Sequence, residues 1–85
     1  MASITIGCNE IIVNTNGILI KKENAQRFIN KTAIKQILLS ISDPTVKTIT
    51  AILDTNIQVP IVILYNSKET NIEEVFNFII QNLYS

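Results

Sequence analysis

Reaction chemistry needs a nucleophile with its base, a pair of titrating groups, a metal cage or a phosphate cradle, and the 85 residues offer few parts for any of them. There is one cysteine, Cys8, and no histidine, so the thiol lacks the base that most often activates such a nucleophile. Cys8 continues the alternation of Ile4 and Ile6, which reads as a small buried hydrophobe. A single cysteine closes no intrachain disulfide and supplies one ligand where a structural zinc site takes four. The carboxylates Asp43, Asp54, Glu69, Glu73 and Glu74 fall in predicted turns and at a helix start, where turn formation and capping account for them. No acidic run has EF-hand spacing, and Gly7 and Gly17, the only glycines, build no phosphate-cradling loop. The sequence therefore predicts a protein that is not an enzyme and takes no cofactor or metal.

The cations are the next candidates. Lys21, Lys22, Arg27, Lys31 and Lys35 surround Phe28, an arrangement that in principle lets the ring stack on a base. The net charge of zero provides no field to draw in a polyanion, so no nucleic-acid partner is expected. Lys21, Lys22 and Arg27 stand as candidate anion contacts. The charge is nevertheless split along the chain. Residues 1–42 carry five cations against two carboxylates and residues 43–85 carry two against five, giving +3 and −3. A solvated surface accounts for such clustering; so does a bipolar subunit that packs head to tail with its own copies.

The elements that would position these residues are short. Ser3–Cys8 alternates polar with apolar, the period-2 pattern of a half-buried strand. Glu10–Val13 and Ile18–Lys21 flank Asn16-Gly17, a strong hairpin signal because a type I′ turn needs positive φ at both central residues. Residues 23–32 are polar apart from an aromatic anchor, Phe28, with Ile29, and read as a loop or short strand. Residues 33–42 admit two readings. Ile34, Ile37, Leu38 and Ile41 have helical spacing with Thr32 as a cap, while Ile37–Ile41 is also an acceptable buried strand. Asp43-Pro44 marks a turn. Thr45–Leu53 is β-branched and predicts a strand, as does Gln58–Tyr65, whose Pro60 must lie at a strand start, an edge or a bulge.

The C-terminal helix has the clearest signature. Thr70 and Glu73, or in the alternative register Asn71 and Glu74, fit a capping box. Ile72, Val75, Phe76, Ile79, Ile80 and Leu83 then form one apolar stripe. Phe78 and Tyr84 fall outside it and are predicted, with Tyr65 and Pro60, to lie at a partner contact.

A chain of this size buries only about 60% of its unfolded surface, so its stability must come from an apolar core or from association. Its 18 isoleucines favour a dense β-branched core, an oligomer interface, or both. The longest uninterrupted apolar run, Ile61–Tyr65, is far short of the roughly 20 residues of a transmembrane helix. The opening residues lack the basic and apolar regions of a signal peptide, which with the lone thiol predicts cytoplasmic synthesis. No internal repeat or linker divides residues 1–85, and a single α+β domain is expected.

The Asn16-Gly17 hairpin, the Ile34-Lys35-Gln36-Ile37 lead-in to a middle strand, and the segment from Glu69 to Leu83 together give an element order that resembles the pleckstrin-homology-like (PH-like) superfold. The resemblance covers the whole chain and lies in element order and hydrophobic pattern. It implies six or seven strands in a mainly antiparallel sheet or bent barrel, plugged by the C-terminal amphipathic helix, and it favours a strand over 37–42. Lipid-binding members of that superfold place basic residues around the first hairpin loop. Here that loop, Asn14-Thr15-Asn16-Gly17, has none, and Lys21 and Lys22 follow beyond the next strand.

The function expected from these features is non-enzymatic: a protein-interaction or assembly subunit, with other protein subunits or its own copies as partners, such as a small structural component of a phage virion. The alternative is a PH-like module that binds a lipid headgroup or an acidic peptide through Lys21, Lys22 and Arg27.

Overall fold

The computed structural model describes residues 2–7, 9–43, 45–65 and 71–84, with the backbone alone at Asp43; Cys8, Pro44, Glu69 and Thr70, to which the sequence assigns roles, lie outside the described residues. Seven strands and one helix follow one another: β1 (Ala2–Ile6), β2 (Asn9–Asn14), β3 (Gly17–Lys21), β4 (Gln26–Asn30), a 3-10 turn (Lys31–Ala33), β5 (Ile34–Asp43), β6 (Val46–Leu53), β7 (Gln58–Tyr65) and α1 (Ile72–Leu83). They form two antiparallel meanders, β1-β2-β3-β4 and β5-β6-β7, so the α+β class holds, with two separate sheets rather than a closed barrel.

Two of the three hairpins of the first sheet have a glycine at the turn, the second of them not as the sequence suggests. β1 stops at Ile6 because Gly7, at φ +61°, reverses the chain toward Asn9. In the next hairpin Asn14 pairs with Gly17, which leaves Thr15-Asn16 as the two-residue loop, and Asn16 does not take the positive φ of a type I′ turn. The Asn14 Oδ1 accepts from the Asn16 N–H at 2.7 Å, a side-chain bond that shapes the turn. Gly17 is needed for another reason. Its φ is +156°, and a Cβ there would run into the Ile29 carbonyl and come within 2.8 Å of Phe28 Cζ. The Phe28 ring thus covers a strand glycine from the neighbouring strand.

Residues 34–43 are a strand, and a register break explains their helix-like spacing. Ile34 pairs with Leu53 but Gln36 with Ile52, so Lys35 is an extra residue. The bulge lets Ile34 and Ile37, three apart, both pack on the core, after which Leu39 continues the period of two. Leu38 and Ile41, which a helix would have buried, are exposed. β7 carries the mirror case. Ile49 pairs with Val62 and Thr50 with Pro60, and the extra Ile61 allows two consecutive residues, Ile61 and Val62, to be buried.

The inner faces of the two sheets close on α1, which packs against β2, β5 and β6. Asn71 caps the helix, its Oδ1 accepting from the N–H groups of Glu73 at 3.0 Å and Glu74 at 3.4 Å, so the second of the two capping registers is the one formed. Ile72, Val75, Ile79 and Leu83 are buried among Ile11, Val13, Ile18 and Ile49, and no buried side chain among the described residues is polar or charged. Among the described residues no helix is long and apolar enough to cross a membrane.

Candidate functional site: the seam between β4 and β7

Because the sheets do not close on each other, two of their edges border an open seam. Lys22 N–H donates to the Ala25 carbonyl at 2.7 Å at one end of β4, and Lys31 N–H donates to the Asn16 carbonyl at 2.9 Å at the other. Hydrogen-bonded positions alternate along an antiparallel ladder. Arg27 and Ile29 therefore spend their main-chain groups on β3, while Gln26 and Phe28 turn theirs to the free edge, as Asn30 does its N–H. On β7, the bond from Leu53 N–H to the Ile57 carbonyl at 2.9 Å sets the same alternation, and Gln58 and Pro60 face away from β6. Pro60 thus sits where its missing N–H costs no ladder bond. It satisfies two of the sequence's three options at once, since β7 is an edge strand and the residue is beside the bulge.

Two neighbouring cavities occupy the seam. The first, of about 340 Å³, runs along β4 from Arg27 to Asn30 and is completed by Ala33, Leu53, Ile57 and Val59. Its floor is the buried Ile29 and Val59, and its rim holds Phe28 and Ile57, 54% and 58% exposed. The second, of about 300 Å³, is lined by Ile20, Lys22, Ala25, Gln26, Arg27 and Pro60. Arg27 lines both, so they lie side by side along the β4 edge. Among the described residues, Lys22 and Arg27 are the charged ones that line them. Lys35 stands beside them, its Nζ donating to Asn56 Oδ1 at 3.4 Å in the β6–β7 turn.

The predicted site residues divide between this seam and other places. Lys22, Arg27 and Pro60 meet in one cavity. Lys21 does not join them: it follows the buried Ile20 on β3, so strand alternation turns it to the opposite face, across from Glu10. Tyr65 is 71% exposed on β7, on the outer side of its sheet with the exposed Ile63. Phe78 is half-buried against the core, so its off-stripe position widens the packed face of α1. Tyr84 is about half exposed and lies under the Lys31 ammonium. Sequence reasoning missed Ile57 and the edge role of Gln26, Phe28 and Asn30. The available signal was an apolar residue inside a turn and an aromatic one among polar neighbours, which becomes specific only when the two are brought together.

Among the described residues no three His, Cys, Asp or Glu side chains converge as a metal site. Comparison with protein-family models, with curated proteins and with solved structures gives no match to this chain.

Proposed function

We propose that the chain is a non-enzymatic protein-interaction module that works as an assembly subunit of a larger particle, of which a virion is one example. The supporting observation is the seam itself: an apolar trough beside a strand edge with unspent main-chain donors and acceptors, rimmed by Phe28 and Ile57 at more than half exposure. Exposed apolar surface next to a free edge favours association with another chain. The test is affinity purification from the native source with cross-linking, together with light scattering over a concentration series. A specific protein partner or a defined oligomer supports the reading. A strict monomer that recruits no protein removes it.

A second reading, a PH-like module for an anionic headgroup, draws on two observations. Four strands, then three, then a closing helix follow the element order of that superfold, and Lys22 and Arg27 share a cavity. The turn of Lys21 to the opposite face leaves this reading two of its three cations. Sedimentation with anionic liposomes tests it: binding that disappears in Lys22→Ala and Arg27→Ala supports it, and no binding by the wild-type chain ends it.

A further inference from the structure

We propose that the seam is a strand acceptor: it takes an extended, carboxylate-bearing segment of a partner protein, which pairs with the free edge of β4 and lays alternate side chains into the two cavities. This rests on the protein-interaction reading above and specifies its chemistry.

Three observations lead there. First, Gln26 and Phe28 offer N–H and C=O groups and Asn30 offers its N–H, at every second residue, the pattern an added strand needs; the Asn30 carbonyl belongs to the 3-10 turn it caps. The opposite wall cannot offer the same, because Pro60 has no N–H to give at its edge position. The seam thus has one pairing side and one packing side. Second, side chains of an added strand alternate between faces at about 3.3 Å per residue. Those turned inward meet Ile29, Leu53, Ile57 and Val59 in one cavity and the Lys22–Arg27 pair in the next. Apolar residues suit the first, and carboxylates suit the second through charge-assisted bonds to the Arg27 guanidinium. Third, a lining that among the described residues holds two cations and no carboxylate selects an acidic segment over a basic one. A second copy of this chain fits less well. Of its carboxylates with described side chains, Glu10 stands on the interior strand β2, Glu23 and Asp54 in turns, and Glu73 and Glu74 on α1, so none is carried by an edge strand.

The test is to pan a display library of random linear octapeptides against the folded chain. The selected peptides are then titrated into it while backbone amide hydrogen exchange is followed by NMR. The expected peptides alternate apolar residues with Asp or Glu, and they slow exchange at Gln26, Phe28 and Asn30. Arg27→Glu, an exposed substitution, is expected to weaken binding about tenfold, the size of a lost charge-assisted hydrogen bond. Gln26→Pro removes an edge donor without touching the β3 ladder and is expected to weaken it several-fold. Circular dichroism of both variants shows that the fold is retained. Peptides without carboxylates, binding unchanged in Arg27→Glu, or no enrichment at all would overturn the proposal. So would protection of the β4 edge by self-association alone, or anionic vesicles as the only ligand. Selected peptides that map to the Tyr65 face would overturn the seam while leaving the protein-interaction reading standing.

Discussion

The Lys31 ammonium lies 5.2 Å from the centroid of the Tyr84 ring. Lys31 N–H also donates to the Asn16 carbonyl, and Tyr84 N–H to the Ile80 carbonyl, so this contact ties the tip of the β2–β3 hairpin to the end of α1. It brings a cation to a helix terminus whose last turn has none of its own. Tyr84→Ala and Lys31→Ala should each destabilise the fold by about 0.5–1 kcal/mol, with a coupling of about 0.5 kcal/mol in a double-mutant cycle by urea unfolding. Strict additivity would mean that the ring and the ammonium do not interact in solution.

Gly17→Ala should be among the most damaging single-atom-group changes in the chain. It adds a methyl where the Ile29 carbonyl and the Phe28 ring already stand, at a φ that L-residues rarely adopt. The expected loss is about 2–4 kcal/mol in chemical denaturation. Gly7→Ala meets nothing within 4 Å and faces only its φ of +61°, so it should cost about 1–2 kcal/mol. Equal losses at the two positions would show that collision plays no part at Gly17.

Asn71→Ala removes the side chain that receives two N–H groups at the start of α1. A loss of about 1 kcal/mol is expected, and Asn71→Asp should recover most of it because the carboxylate also suits the helix dipole. An aspartate no better than alanine would place the cap elsewhere.

Pro60→Val restores an N–H at the outward-facing edge of β7. Folding stability should change by less than about 1 kcal/mol, since no ladder bond is at stake. Self-association should rise, because an edge proline guards against strand pairing between molecules. Analytical ultracentrifugation decides the point: a sedimentation profile identical to wild type would show that the proline has no protective role.

Most of the architecture was legible because it depends on local patterns. The period of two in β1, the β-branched run of β6, the bounds of β7 and the apolar stripe of α1 each follow from a few consecutive residues. The misreadings arise where one residue is inserted or a turn is displaced. Lys35 bulges out of β5 and makes Ile34 and Ile37 look helical, and Thr15-Asn16 forms the loop that Asn16-Gly17 suggested. Phe28 was visible as an anchor, but its place over Gly17 depends on cross-strand register. The seam was not legible at all. Ile57 and Ile29 are 28 positions apart in the sequence, and their meeting depends on how one sheet lies against the other.

The order of strands in the two sheets has a consequence for how the molecule forms. Every ladder joins strands adjacent in the chain, so each sheet zips up from short-range hairpins at little loop-closure cost. The contacts of α1 are different: from residue 72 onward it reaches back to β2 across about sixty residues of chain. The helix is therefore the latch, and two half-finished meanders with bare isoleucine faces must wait for it. During synthesis that wait is the interval in which the chain is most exposed to misassociation.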